Sequence, residues 1–187
     1  MNHDKFAHIS DNELLERFYT GHNNEWLGIL LQRYTLMLLG TCMKYLKNTD
    51  EAKDAVQQVF LKTITELHKY KVDYFKSWLY MIARNHCLML LRDKNIHIPV
   101  EENTYLEDHT TDKAELMEKD YTLTIMEASI EELSTEQKTC VTLFYLQKRS
   151  YNEIVETTGY TLMQVKSHIQ NGKRNLKLLV EKKMKNN

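Results

Sequence analysis

The chain has 187 residues and a formal net charge of −1. Apolar residues make up 42% of it, and it contains only five glycines and one proline. This composition indicates one or two small folded domains and excludes a disordered chain. No apolar run approaches the ~20 residues of a membrane span and no signal segment begins the chain, so we expect a cytoplasmic protein without membrane insertion of its own.

Charge is distributed unevenly along the chain. Residues 1–98 carry thirteen basic and eleven acidic side chains, residues 99–136 two and twelve, and residues 137–187 ten and three. A basic end is suited to phosphate, whereas the acidic middle would repel DNA. The near-neutral total therefore conceals a candidate nucleic-acid-binding segment.

Cysteine and histidine usage gives no sign of a metal site. Cys42, Cys87 and Cys140 lie far apart within apolar helical patterns, which predicts buried thiols in a reducing compartment. The eight histidines lack metal-ligand spacing, and neither a phosphate-binding loop nor a catalytic motif is present. We expect no metal, no cofactor and no enzymatic activity.

The first 72 residues read as consecutive amphipathic helices. Ser10 has the spacing of a helix cap with Glu13, and that helix should end at Gly21. The apolar period from Trp26 to Leu46 predicts one uninterrupted core helix, opening near residues 23–24. Asn48 should begin the next helix, which ends near residues 69–72.

A further helix, running to about residue 94, mixes aromatic side chains with cations. Lys76, Arg84 and Arg92 are spaced by eight, and we expect them to form an outward cationic line. Beside them lie the aromatic residues Tyr74, Phe75 and Tyr80. Such a line would suit single-stranded DNA. The alternative is a solvated helix with its aromatics in the core, which periodicity favours for Trp78.

The helical pattern fails from Asn95 to about Asp112, where the only proline and several acids occur. This stretch predicts a linker. The predicted fold is all-α, with two small helical domains joined by a flexible acidic linker. We place the N-terminal helical domain at 1–95, the linker at 96–113 and the C-terminal domain at 114–187.

Two helix starts flank one glycine in the C-terminal domain, after a helix that begins at Ser134. Ser150 with Glu153 and Thr161 with Gln164 have capping-box spacing. Gly159 between them allows a left-handed turn, so this segment predicts a helix-turn-helix. The side chains expected between the two helices are Ile154, Val155, Leu162, Val165 and Ile169.

The second of these helices, capped by Thr161, presents a polar outer face. The residues predicted to meet DNA are Thr161, Gln164, Lys166, Ser167, Gln170, Lys173 and Arg174. We expect the first turns to read bases, and Lys173 and Arg174 to bind the phosphate backbone. From Thr161 onward there are seven basic residues and one acid. The alternative is an ordinary helical hairpin with a solvated basic tail.

Three stretches together resemble one family. They read DAVQQVF at residues 54–60, FKSWLYMIARN at 75–85, and, from Leu133 onward, SYNEI at 150–154 with VKS at 165–167. In this order, and separated by a linker, they are similar to bacterial RNA polymerase sigma factors of the extracytoplasmic-function type, within the sigma-70 family. The resemblance covers residues 24–96 and 114–180.

The resemblance implies a dissociable subunit of core RNA polymerase that directs it to promoters and helps open the duplex. It assigns polymerase docking to Asp54, Gln57, Gln58 and Phe60. Promoter melting and minus-ten recognition would fall to Tyr74, Phe75, Lys76, Arg84, Asn85 and Arg92, and minus-thirty-five recognition to the helix-turn-helix. The implied partners are core RNA polymerase, promoter DNA and, in some members, an anti-sigma factor.

The sequence departs from the family pattern at two places. Val155 replaces a small alanine in the turn, and residues 168–172 replace a more basic run. Gly172 in the middle of a helix costs about 1 kcal/mol relative to alanine. Two other functions stay open on sequence grounds, namely a stand-alone helix-turn-helix regulator and a helical interaction protein without a DNA role. Binding to core polymerase distinguishes them.

Overall fold

The computed structural model describes residues 6, 8–94 and 113–185, and the regular structure in them is helical throughout. This confirms the all-α prediction. Contacts between Cα atoms divide the chain into an N-terminal unit, Met1–Leu106, and a C-terminal unit, Glu107–Asn187. The predicted linker falls largely outside the described residues, so the boundaries at 95 and 114 stay a prediction. No described helix is both long and apolar enough to span a membrane.

The N-terminal unit contains helices α1 Asp11–Gly21, α2 Asn24–Arg33, α3 Thr35–Leu46, α4 Thr49–Leu67 and α5 Phe75–Asp93. Side-chain caps set the starts of α1 and α4, as predicted. Ser10 Oγ accepts the Glu13 amide at 3.2 Å, and Asn48 Oδ1 accepts the amides of Asp50 and Glu51 at 3.0 and 3.1 Å. Each cap satisfies amides that a helix leaves without an internal partner.

All five helices contribute to one core, in which α3, α4 and α5 pack on one another and α1 packs on α2. Fully buried side chains include Leu14, Phe18, Leu27, Leu30, Leu38, Val59, Leu79 and Leu88. Cys42 and Cys87 are free and buried here, and Cys140 is free and buried in the C-terminal unit, as predicted.

The single helix predicted from Trp26 to Leu46 is wrong, because the chain breaks at Tyr34 between α2 and α3. The break is held by tertiary contacts. Arg33 pairs with Asp11 of α1 at 2.5 Å and donates to the carbonyls of Phe6 and Ile9 at 2.8 Å, and the Tyr34 hydroxyl also donates to Asp11. Both helices bury their apolar sides in the same core, so the apolar period runs on through the break.

The C-terminal unit contains α6 Lys113–Glu131, α7 Thr135–Val141, a π-helical turn Thr142–Leu146, α8 Tyr151–Thr158 and α9 Leu162–Lys185. Helix α9 packs on α6, α7 and α8. The buried cluster consists of Cys140, Leu143, Ile154, Val165 and Ile169. The basic residues at 182–185 belong to α9 and do not form a separate tail, and Lys183 pairs with Glu132 at 2.5 Å.

Gly172 is buried where α9 crosses α7. A Cβ atom on this residue would lie 2.6 Å from Val141 Cγ2 and 3.3 Å from Gln137 Cβ. Next to this crossing, Asn175 Nδ2 donates to Gln137 Oε1 at 3.1 Å. The glycine therefore allows a close approach of the two helices, which gives the helix-weakening residue a packing role.

Candidate nucleic-acid interfaces

The turn between α8 and α9 has the geometry that the sequence predicts. Gly159 adopts φ 74°, in the left-handed region, and its amide donates to the Val155 carbonyl at 2.8 Å. A side chain at this φ would be strained, whereas glycine has no Cβ to clash. The turn therefore directs the chain from α8 into α9, completing a helix-turn-helix.

A complete capping box begins α8. The Glu153 amide donates to Ser150 Oγ at 3.3 Å, and the Ser150 amide donates to Glu153 Oε2 at 2.8 Å. Hydrogen bonds from the Ser150 hydroxyl, and then from its amide, hold the pKa of the Glu153 carboxyl below its ordinary value. The carboxylate is therefore ionised at neutral pH, which favours its interaction with the helix N-terminus.

The start of α9 is capped in the same reciprocal way, by Thr161 and Gln164. The Gln164 amide donates to Thr161 Oγ1 at 3.3 Å, while Gln164 Oε1 accepts the Thr161 amide at 2.8 Å and its hydroxyl at 2.9 Å. The side-chain oxygen of Gln164 is thus occupied within the protein. Gln164 can offer only its NH₂ group to a base without giving up the cap.

The outer side of α9 is exposed as predicted, opposite the buried Val165, Ile169 and Gly172. Its exposed residues include Thr161, Gln164, Lys166, Ser167, Gln170, Lys173 and Arg174. The structure therefore brings the predicted upstream-reading residues onto one accessible side of a single helix. Their contact with DNA stays a prediction.

Two of these residues have contacts within the unit that sequence reasoning did not foresee. Lys166 Nζ lies 5.7 Å from the centroid of the Tyr151 ring, which stacks on Phe144 with centroids 5.1 Å apart and planes at 12°. Asn171 Nδ2 donates to Ser167 Oγ at 3.2 Å. The aromatic stack beneath Lys166 favours one position of its ammonium at the edge of the helix.

The apolar residues of the first turn of α9 differ from the prediction. Leu162 was expected between the two helices, but it is 43% exposed, and Val155 is only half-buried. Met163, for which the sequence pattern predicts no role, is 82% exposed. Leu162 precedes the buried Val165 by three residues, a rotation of about 300°, which is about 60° short of a full turn and places it at the margin of the buried side. The same geometry would have marked Met163 as an outward residue.

In the N-terminal unit, the expected outward line of Lys76, Arg84 and Arg92 is wrong at Arg84, which is only 7% exposed. Eight residues turn a helix by about 800°, which is about 80° beyond two full turns. The three cations therefore point in different directions. Arg84 Nη1 donates to Asn85 Oδ1 at 3.4 Å.

Phe75 is also buried, at 5% exposure, and is not accessible beside the cations as expected. Its ring packs against those of Tyr34 and Trp78, with centroids 5.6 and 6.0 Å apart. Phe75 and Arg84 therefore belong to the scaffold of α5. The predicted residues that keep an accessible surface are Tyr74, Lys76 and Asn85, all half-buried, and Arg92, which is exposed.

Helix α4 presents the third predicted face. Asp54, Gln57 and Gln58 are exposed, while Phe60 is half-buried against the core. Leu61, four residues after Gln57, is 58% exposed and adds an apolar surface next to these polar side chains. Sequence reasoning gave Leu61 no role because only polar residues were considered for the outer side of this helix.

Comparisons with known proteins agree with the resemblance. Residues 30–96 match the family described as sigma-70 region 2, and residues 123–176 match sigma-70 region 4. The chain is 26% identical over 173 residues to the ECF RNA polymerase sigma-E factor of Haemophilus influenzae, covering 86% of this chain and 90% of the relative. It is 26% identical over 170 residues to the RNA polymerase sigma-H factor of Pseudomonas aeruginosa, covering 85% and 88%.

Proposed function

The chain belongs to the sigma-70 family as a sigma factor of the extracytoplasmic-function type that directs transcription initiation, and on this premise we propose which of its faces carry each step. In this proposal the N-terminal unit docks on core RNA polymerase and opens the promoter. The C-terminal unit reads the upstream element. The protein contributes no catalysis of its own and acts in the cytoplasm.

The outer side of α9 is the observation that supports upstream reading most strongly. It combines a capped N-terminus, an exposed surface that is mostly polar, and the cations Lys166, Lys173 and Arg174. A helix with these properties fits the major groove, where side chains near its N-terminus reach base edges. Lys173 and Arg174 lie further along the helix and bind backbone phosphate.

Base reading and phosphate binding are distinguished by their dependence on sequence and salt. Loss of a base-reading side chain removes about 1–3 kcal/mol of discrimination at particular positions. Loss of one phosphate contact changes the salt slope by about 0.9 and weakens binding to all sequences alike. We expect Ser167→Ala and Gln170→Ala to show the first behaviour and Lys173→Ala the second, in a salt titration of holoenzyme over a promoter series.

Polymerase docking is assigned to the exposed side of α4. Asp54, Gln57 and Gln58 are free of core packing because Ala55, Val56 and Val59 supply the buried side. Leu61 adds an exposed apolar contact next to them. Apolar area surrounded by polar groups is the usual make-up of a protein interface.

Docking is tested by replacing Gln57 and Gln58 together with alanine and measuring affinity for core polymerase. The control is Gln32→Ala, because Gln32 is an exposed glutamine on a different helix, α2. We expect the double variant to bind core at least tenfold more weakly and the control to bind normally. Unchanged affinity of the double variant would show that this side of α4 is not the docking face.

Promoter opening is assigned to the accessible residues around α5, namely Tyr74, Lys76, Asn85 and Arg92. Aromatic and cationic side chains can offset the few kcal/mol required to unstack a base, through stacking and phosphate contact. Phe75 and Arg84 support this surface from the interior. Arg92→Ala should therefore impair open-complex formation more than closed-complex binding, and equal loss of both would exclude this role.

A regulator that binds DNA without polymerase is the second candidate function, because the helix-turn-helix is complete within the C-terminal unit. That function predicts promoter-specific binding by the isolated protein. The sigma-factor proposal predicts specific binding only in the presence of core polymerase. An anti-sigma factor is a further candidate partner. A protein that binds this chain and prevents it from binding core polymerase would identify such a factor.

A further inference from the structure

Met163 is the most exposed of the large apolar side chains among the described residues, at 82%. It is the second residue of α9, two residues after the Thr161 cap. Its helical backbone fixes the direction of the Cα–Cβ bond, so the side chain stays on the outer side of the helix. An apolar side chain held outward in this way is available to a partner.

The neighbours of Met163 identify the surface to which it belongs. Met163, Ser167, Gln170 and Arg174 follow one another at intervals of four, three and four residues, which places them along one line of the helix. This line lies opposite the buried Val165, Ile169 and Gly172. Met163 is therefore the first member of the outward row that we propose meets DNA.

The composition of that row selects the kind of partner. Its other members are polar or basic, and Lys166 and Lys173 are exposed beside it. The exposed lysines argue against the centre of a protein interface, where charged residues are depleted. The row does match the major groove, where phosphates flank base edges that carry hydrogen-bonding groups and one apolar feature, the thymine C5 methyl group.

We propose that Met163 reads a thymine methyl group in the upstream promoter element. The inference rests on the proposed function of α9. The flexible thioether can follow the methyl group without a fixed rotamer, and the contact removes apolar area of both groups from water. Four residues span about 6 Å of helix axis, and base pairs are stacked about 3.4 Å apart, so the thymine lies within about two base pairs of those facing Ser167.

The test removes the methyl group from the DNA and the side chain from the protein separately. Holoenzyme containing the full chain is measured on a promoter in which each upstream thymine is replaced, one at a time, by deoxyuridine. The same set is measured with Met163→Ala and with Leu162→Ala, the latter being an exposed apolar neighbour outside the row. Thermal unfolding confirms that both variants fold.

We expect one deoxyuridine substitution to weaken wild-type binding by about fourfold, the effect of one buried carbon group. The same substitution should have no effect with Met163→Ala and the full effect with Leu162→Ala. The inference is overturned if no thymine shows such coupling, or if the deoxyuridine effect persists in Met163→Ala. A protein partner would be indicated if Met163→Ala weakened holoenzyme assembly, which also overturns the inference.

Two further variants distinguish loss of the Met163–thymine contact from a wrong assignment of α9 as the promoter-reading helix. If Arg174→Ala still weakens promoter binding and Gln170→Ala still changes base preference, then α9 reads the promoter without Met163. If neither variant changes promoter binding, the assignment of α9 itself is wrong.

Discussion

Gly172→Ala tests the packing that positions the recognition helix. Alanine should gain about 1 kcal/mol over glycine in helix propensity. The added Cβ would, however, lie 2.6 Å from Val141 Cγ2 and 3.3 Å from Gln137 Cβ, whereas carbon atoms pack best at about 3.5–4.0 Å. Val141 is buried, so α9 and α7 must separate by about 1 Å.

Overpacking of this kind costs about 1–3 kcal/mol, which exceeds the propensity gain. We therefore expect Gly172→Ala to destabilise the C-terminal unit by about 1 kcal/mol, or about 4–8 °C in melting temperature for a unit of this size. The matched control is Gly28→Ala, since Gly28 lies exposed within α2 with nothing within 4 Å of an added Cβ. This control should stabilise the N-terminal unit by about 0.5–1 kcal/mol.

The two units can be followed separately by spectroscopy. Trp26 and Trp78 are the only tryptophans and both lie in the N-terminal unit, so tryptophan fluorescence reports that unit alone. Far-UV circular dichroism reports both units. Gly172→Ala should shift the dichroism transition and leave the fluorescence transition unchanged, whereas Gly28→Ala should raise the fluorescence transition. A rise in C-terminal stability with Gly172→Ala would refute the close crossing of α9 and α7.

Three further predictions follow from individual residues. Gly159→Ala should destabilise the C-terminal unit by about 1–2 kcal/mol, since the φ of Gly159, 74°, is left-handed. Gly159→Asn should destabilise it less, because asparagine adopts this conformation more readily. Equal destabilisation by the two variants in dichroism melts would exclude a backbone cause. Arg84→Ala should destabilise the N-terminal unit by about 1–3 kcal/mol because Arg84 is buried, while Arg92→Ala should change unfolding by less than about 0.5 kcal/mol; similar fluorescence melts would contradict this difference. Gln164→Ala should destabilise the C-terminal unit by about 0.5 kcal/mol through loss of the cap, whereas Gln164→Glu should keep the cap and the stability. A base-specific binding defect of Gln164→Glu holoenzyme, without loss of stability, would therefore show that Gln164 reads a base as well as capping the helix.

The helix starts could be predicted because capping is local. Ser10, Asn48, Ser150 and Thr161 each bond to an amide two or three residues on, so the relevant partners are adjacent in the sequence. The turn at Gly159 follows for the same reason. These features required no knowledge of tertiary contacts.

The break at Tyr34 could not be predicted in this way. It depends on Asp11 and on the Phe6 and Ile9 carbonyls, which lie more than twenty residues away, while the apolar period shows no interruption. The need for glycine at position 172 could not be predicted either, because it depends on contact with the Val141 side chain of another helix.

The candidate sites show where sequence reasoning is limited by rotation about the helix axis. The phase of α9 is well defined by Val165 and Ile169, so its exposed polar residues were placed on the correct side. Arg84 was misplaced because a spacing of eight does not return to the same side of a helix. Met163 and Leu61 were missed because only polar residues were considered for the outer sides of these helices.

The most direct test of the central claim is promoter-specific transcription by core RNA polymerase supplied with this protein alone. Genomic fragments bound by the holoenzyme serve as templates, with the Gln57→Ala, Gln58→Ala double variant as the negative control. We predict discrete start sites that require both the protein and core polymerase and that are lost with the double variant. Promoter binding by the protein without core, together with no gain in specific transcripts when core is added, would contradict the account.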